Sequence, residues 1–232
     1  MDCGREVTVS KRTADIVIRV LTALTVLVLV LAAALHDPWS GDVAVWFVYG
    51  DGDGASVKPD TARAFDIALM VMRAGLGMMI FVHGYNKAFR GGKLAGTGRW
   101  FQSMGMRPGK VHATLAAGAE MGVGVLLVVG LITQVAAAGL VALMVVAFWT
   151  VHRGKGFMIT GEGWEYVALI AVMSLVSAIL GPGRISLDAE LEIIHRLDGW
   201  TGMWIALLLG VGAGAAHLLL FFRPPPPEGS SE

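Results

Sequence analysis

Long apolar blocks separated by short charged stretches make up most of this chain. The first, residues 16–35 from Ile16 to Leu35, has no periodic wet face. At about 1.5 Å per residue it matches the roughly 30 Å hydrocarbon thickness of a bilayer, so it is predicted to span one. Comparable blocks follow at 63–89, 112–133, 135–151, 164–180 and 200–222. In lipid the backbone must satisfy its own hydrogen bonds, so apolar runs of this length are helices. The pattern predicts an all-α, polytopic membrane bundle of six spans.

The separating stretches divide the chain further. A polar leader occupies 1–15, an acidic loop 36–62, a mixed loop leads into the last helix over 189–222, and a Pro-rich tail, expected to be disordered, covers 223–232. Within 83–111 a short surface-lying segment is predicted at Trp100 to Met104, pinned by its aromatic residues. Basic residues fill the leader, the loop after the second span (Lys87, Arg90, Lys93, Arg99, Arg107 and Lys110, with no acid) and the loop after the fourth. Aspartates fill the first loop. Under the positive-inside rule every loop agrees with both termini in the cytoplasm.

Composition sharpens this picture. Hydrophobic residues make up 55% of the 232 and charged residues 16%, where soluble chains carry about a quarter charged. Net charge is zero, which leaves no overall basic footprint for nucleic acid. Cys3 is the only cysteine, so the chain cannot cycle a disulfide or build a Cys-rich metal site. The Gly-Asp-Gly tract at Gly50 to Gly54 lacks the spaced ligands of an EF-hand calcium loop.

Candidate chemistry sits on the second span, where Arg73 lies among Met, Leu, Ile and Gly. Advancing 100° per residue, Arg73, Gly77, His83, Gly84 and Lys87 fall within an arc of about 120°. That stripe reads either as inward packing or as a site lined by Arg73, His83 and Lys87. A charge in an apolar span needs a partner. Arg73 stands ten residues before His83 and Glu120 eight residues after His112, so both lie about 12–15 Å from the same boundary. An Arg73–Glu120 pair is therefore predicted, either structural or part of a pocket. His83, His112, His152, Glu162 and Glu165 gather on that side, with His217 inside the last helix. For His112 and His217 a packing role is preferred. No Glu-x-x-His pair occurs for a di-iron centre, and a haem between His83 and His152, though geometrically open, is disfavoured. No metal site is predicted. Gly118-x-x-x-Gly122 and Gly210-x-x-x-Gly214 suggest close helix crossings.

These residues resemble the DoxX family of small membrane proteins. The resemblance rests on Arg73 to Lys87, Trp100-Phe101, Gly118-x-Glu120-x-x-Gly122, His152, Gly156-Phe157, Gly163-Trp164-Glu165-Tyr166 and the run Gly181 to Asp188. It implies a four-helix core over 63–188; the first and last predicted helices lie outside that core. It also implies a bacterial cytoplasmic membrane and a component of quinone-linked sulfur oxidation or of a complex with a soluble oxidoreductase or sulfurtransferase. On that footing the cofactor is a quinone, held by Arg73, Lys87, His152 and Glu165, with His83 or Glu120 passing the proton. The competing expectation is a non-enzymatic scaffold whose basic loop recruits an acidic soluble enzyme or anionic membrane lipid. A carrier ranks last, since neither an inverted repeat nor a mid-span proline is present.

Overall fold

The computed structural model describes residues 59–192 and 197–224. The predicted leader, the first predicted span, the acidic loop as far as Lys58 and the tail beyond Pro224 lie outside the described residues. The elements are α1 (Pro59–Phe89), α2 (Lys93–Ser103), α3 (Gly109–Val129), α4 (Thr133–Ala147), α5 (Glu165–Leu180), α6 (Leu187–Glu190) and α7 (Gly199–Phe221). A π-helical turn at Phe148–His152 continues α4. No strand occurs among the described residues beyond an isolated bridge between Met106 and Phe222.

Four of these helices are long and apolar enough to cross a bilayer, over Thr61–Phe89, Gly109–Val129, Thr133–His152 and Gly199–Phe221. The fifth apolar helix, α5, has 16 residues and falls short of the roughly 20 that a perpendicular span needs. Outward faces carry Val71, Met78, Val82, Phe89, Leu169 and Val172, all exposed, a surface suited to lipid tails. The surface segment is longer than predicted: α2 turns Gly98 and Phe101 inward and leaves Trp100 exposed.

Glycine decides how closely α1 and α3 approach. A Cβ at Gly77 would lie 2.5 Å from the Gly124 carbonyl, and one at Gly84 would lie 2.7 Å from that of Ala117. Without a hydrophobic force between helices in lipid, such intimate backbone contact and dispersion hold the pair. Gly210 and Gly214 of α7 likewise receive Val141 and Val145 of α4. Gly118 and Gly122, by contrast, face open space. Their spacing marked a crossing that α3 makes instead through Gly124, on the opposite face.

The interhelix core joins Ile80, Leu127, Leu140, Met144, Val167 and Ile170 from α1, α3, α4 and α5. A second cluster seats α2 and its exit loop, through Phe101 and Met106, on Ala113 and Leu218. Arg223 N–H donates to the Gly105 carbonyl at 2.7 Å, tying that loop to the end of α7.

Candidate functional site

Helix direction sets which charges meet. Side chains lean toward the N-terminus of their own helix. The crossing points Gly77–Gly124 and Gly84–Ala117 show that α1 and α3 run antiparallel. Lys87, near the end of α1, therefore leans into the bundle, and Glu120 leans out toward it. They form an ion pair in which Nζ bonds both carboxylate oxygens, at 2.6 Å to Oε2. The side chains are 22% and 8% exposed. The predicted Arg73–Glu120 pair is not made. Its depth estimate counted from His83 and His112 as if both marked one boundary, whereas the actual register sets Arg73 level with Leu127. The two side chains also lean apart.

Arg73 is fully buried at the other end of the bundle. Its Nη1 donates to the Leu127 carbonyl at 2.9 Å and its Nη2 to that of Ile185 at 2.6 Å. Asp188 supplies the compensating charge. That carboxylate accepts from the N–H groups of Ile132 (2.7 Å) and Thr133 (3.0 Å) and from the Thr133 hydroxyl (2.9 Å), capping α4 from the short helix α6. The Asp188 N–H donates to Gly130, whose φ of 66° ends α3. Gln134, inside α4, donates to Asp198 at the start of α7.

At the Lys87 end, small residues on three helices leave a cavity of about 410 Å³. Ala116 and Ala119 of α3, Gly139 and Ala142 of α4, and Ala213 and Gly214 of α7 face it. The Lys87–Glu120 pair lies at its inner part, and His112, His217 and Thr150 border it toward the bundle end. Trp100 and Leu115 also line it while being 47% and 54% exposed, so it opens beside them. The volume is within the range of small-molecule sites, roughly 300–1,000 Å³.

His112 is 1% exposed. Its Nε2 lies 3.2 Å from the Arg107 carbonyl, which can only accept, so the proton belongs on Nε2. No group among the described residues bonds its Nδ1. The His217 ring meets it edge-on at 4.9 Å between centroids.

The remaining candidates lie elsewhere. His83 is exposed on α1, 6.5 Å from the Tyr166 ring, and does not line the cavity. His152 Nδ1 donates to the Glu162 carbonyl at 2.6 Å, and Glu165 accepts from the Ile159 N–H at 2.9 Å. Both organise the loop before α5. There Lys155 pairs with Glu162, and its hydrogen bond and charge, with a smaller contribution from His152, hold the Glu162 carboxyl below its usual range. Of the six sequence candidates, only Lys87 and Glu120 meet at the cavity. No group of three or more potential metal ligands occurs among the described residues.

Sequence reasoning preferred a packing role for His112 and His217, and the two rings do pack on each other and on Phe221, but their place on the cavity lining also had a signal. His112, Leu115, Ala116, Ala119 and Glu120 recur at helical spacing, as do Ala213, Gly214 and His217. These are faces of small residues bordered by polar ones, the pattern of a lined cavity more than of a close crossing.

Over 93 residues, 40% of the chain, it is 26% identical to an uncharacterized protein of Haemophilus influenzae, and the match spans 62% of that relative. No solved structure matches. Residues 68–153, from within α1 to the π-helical turn after α4, match the DoxX family. The chain is a multi-pass membrane protein whose residues 68–153 are similar to the DoxX family.

Proposed function

We propose that the protein is a quinone-linked redox component of a bacterial cytoplasmic membrane, with its site in the Lys87–Glu120 cavity. The observation that carries this reading is an apolar chamber of about 410 Å³ ending on a largely buried ion pair. Those walls fit a flat ring, and the polar groups fit oxygens on it. When bound, a quinone supplies a two-electron, two-proton couple. Lys87 stabilises negative charge on the oxygen nearest it, an interaction made strong by the apolar surroundings. Glu120 is placed to hold a proton beside that oxygen. Small walls at Ala116, Ala119 and Gly139 admit the ring, and Trp100 and Leu115 flank its entrance. Six spans with both termini in the cytoplasm would set this end, with its exposed Arg90, Lys93, Arg99, Arg107 and Lys110, at the inner face.

The test uses purified protein in lipid nanodiscs with a soluble quinone and thiosulfate. Two thiosulfates joining as tetrathionate release two electrons, which with two protons convert quinone to quinol. Turnover is expected to fall about a hundredfold in Glu120→Gln and to persist in His83→Ala. Turnover unaffected by Glu120→Gln would move the site out of this cavity. The same exposed basic residues favour a second reading, a scaffold for an acidic soluble oxidoreductase or sulfurtransferase. Its signature is a co-purifying partner released by salt, with no intrinsic turnover.

A further inference from the structure

The chamber has one side without a wall. α3 and α7 both pack on α4, which forms the back through Gly139, Leu143, Val146 and Thr150. Toward the bundle end it is closed. There the His112 ring meets His217 at 4.9 Å and Phe221 at 4.8 Å between centroids, and Phe101 and Met106 pack on Ala113 and Leu218. Opposite α4 the chamber lies between α3 and α7, where Leu115 and Ala119 on one helix and Ala213 on the other line it and are exposed. Advancing 100° per residue, Leu115 and Ala119 fall between the outward Gly118 and Gly122 and the inward Ala116 and Glu120. They form the rim of α3, and among the described residues nothing lies within 4 Å of a Cβ at Gly118 or Gly122. Depth sets what this side meets. Leu115 and Ala119 stand six and ten residues after Gly109, about 9 and 15 Å along α3, and Ala213 stands eight residues before Phe221, about 12 Å. The hydrocarbon core takes up about 30 Å of a span, so an opening at these depths meets acyl chains and not water.

We infer that the ligand enters the chamber sideways from the bilayer, between α3 and α7, and is a lipid-dissolved ring compound whose apolar tail stays in that slot. The ring reaches Lys87 and Glu120 while the tail passes Leu115, Ala119 and Ala213 into hydrocarbon. Methyl side chains at Ala119 and Ala213 leave the slot room for a chain. The inference rests on the ring-binding reading of this chamber and adds the form of the ligand and its route. It also gives α7, a helix outside the residues that match the DoxX family, one side of the entrance.

The test is photolabelling of the full chain in lipid nanodiscs by para-naphthoquinone carrying an alkyl tail, with a diazirine on the tail close to the ring. The reaction is run with and without an excess of tail-less para-naphthoquinone. Peptide mass spectrometry is expected to find label on residues 115–122 and 210–217, and that label is expected to be lost when the tail-less ring is in excess. Leu115→Trp, which narrows the slot from its rim, is expected to slow association of the tailed probe about tenfold. Competed label confined to 100–108 or 152–163 would mean that the tail leaves at the bundle end, which overturns the inference while leaving the ring site standing. Unchanged association in a folded Leu115→Trp protein does the same. No competed label anywhere overturns both readings. The labelling uses the unaltered chain, so a misfolded Leu115→Trp would leave the inference testable.

Discussion

Both ends of this bundle bury charge, and they use it in opposite ways. At the end holding Arg73 and Asp188, most polar valences are spent inside the protein. The guanidinium bonds two backbone carbonyls, and the carboxylate caps α4 through two N–H groups and a hydroxyl. At the other end, Lys87 and Glu120 border a chamber, His112 keeps a free lone pair, and small side chains stand where larger ones would fill. A buried charge is thus no sign of function by itself. Both ends leave a buried polar atom without a bond among the described residues, Arg73 Nε at one and His112 Nδ1 at the other, so what separates them is whether there is space beside the charge.

The contrast predicts different responses to similar substitutions. Asp188→Ala should have the largest effect, because it leaves Arg73 uncompensated and removes the cap of α4. Loss of one partner from such a buried pair costs about 3–5 kcal/mol, a fall of roughly 10 °C in Tm by thermal unfolding in detergent. A shift under about 2 °C would show that this end is not the clamp described. Glu120→Gln should lower Tm far less, by roughly 1 kcal/mol, since Lys87 is partly exposed and can extend toward the interface. Its effect should appear in ligand binding and turnover. An Asp188-sized loss of stability would erase the distinction between the ends.

Filling the chamber sharpens the same comparison. Ala116→Phe is expected to abolish ring binding with a stability change within about 1 kcal/mol, because the added ring enters existing space. Retained binding would place the ligand elsewhere. The smallest effect concerns the loop that carries His152 and Glu165. Lys155 depresses the Glu162 carboxyl, so that pairing persists as pH falls through the ordinary glutamate value of 4.5 and is lost only below it. Following the Glu162 carboxyl resonance by NMR, Lys155→Ala should raise the titration midpoint. An unmoved midpoint would mean that the pair is absent in solution.

Much of the bundle was legible along the chain. Apolar blocks at 63–89, 112–133, 135–151 and 200–222 coincide with α1, α3, α4 and α7, because length and hydrophobicity are local properties. The short block at 164–180 also gave a helix, α5, whose 16 residues are fewer than a perpendicular span needs. Arg73 was rightly marked as needing partners. Its partners were misassigned because two helix lengths and an antiparallel register intervene between sequence distance and depth. Glycine spacing showed a similar limit: Gly210 and Gly214 meet α4, while Gly118 and Gly122 face outward.

The sequence by itself determined that this is a helical membrane protein, where its apolar helices lie and which few charges they must bury. Those follow from composition and from the 3.6-residue repeat, both readable one segment at a time. Only the tertiary structure decided that Lys87 and not Arg73 meets Glu120, and that His112 and His217 share a chamber. Each of those is a relation between helices 33 to 105 residues apart in the chain, set by close packing at glycine and by the direction in which side chains lean.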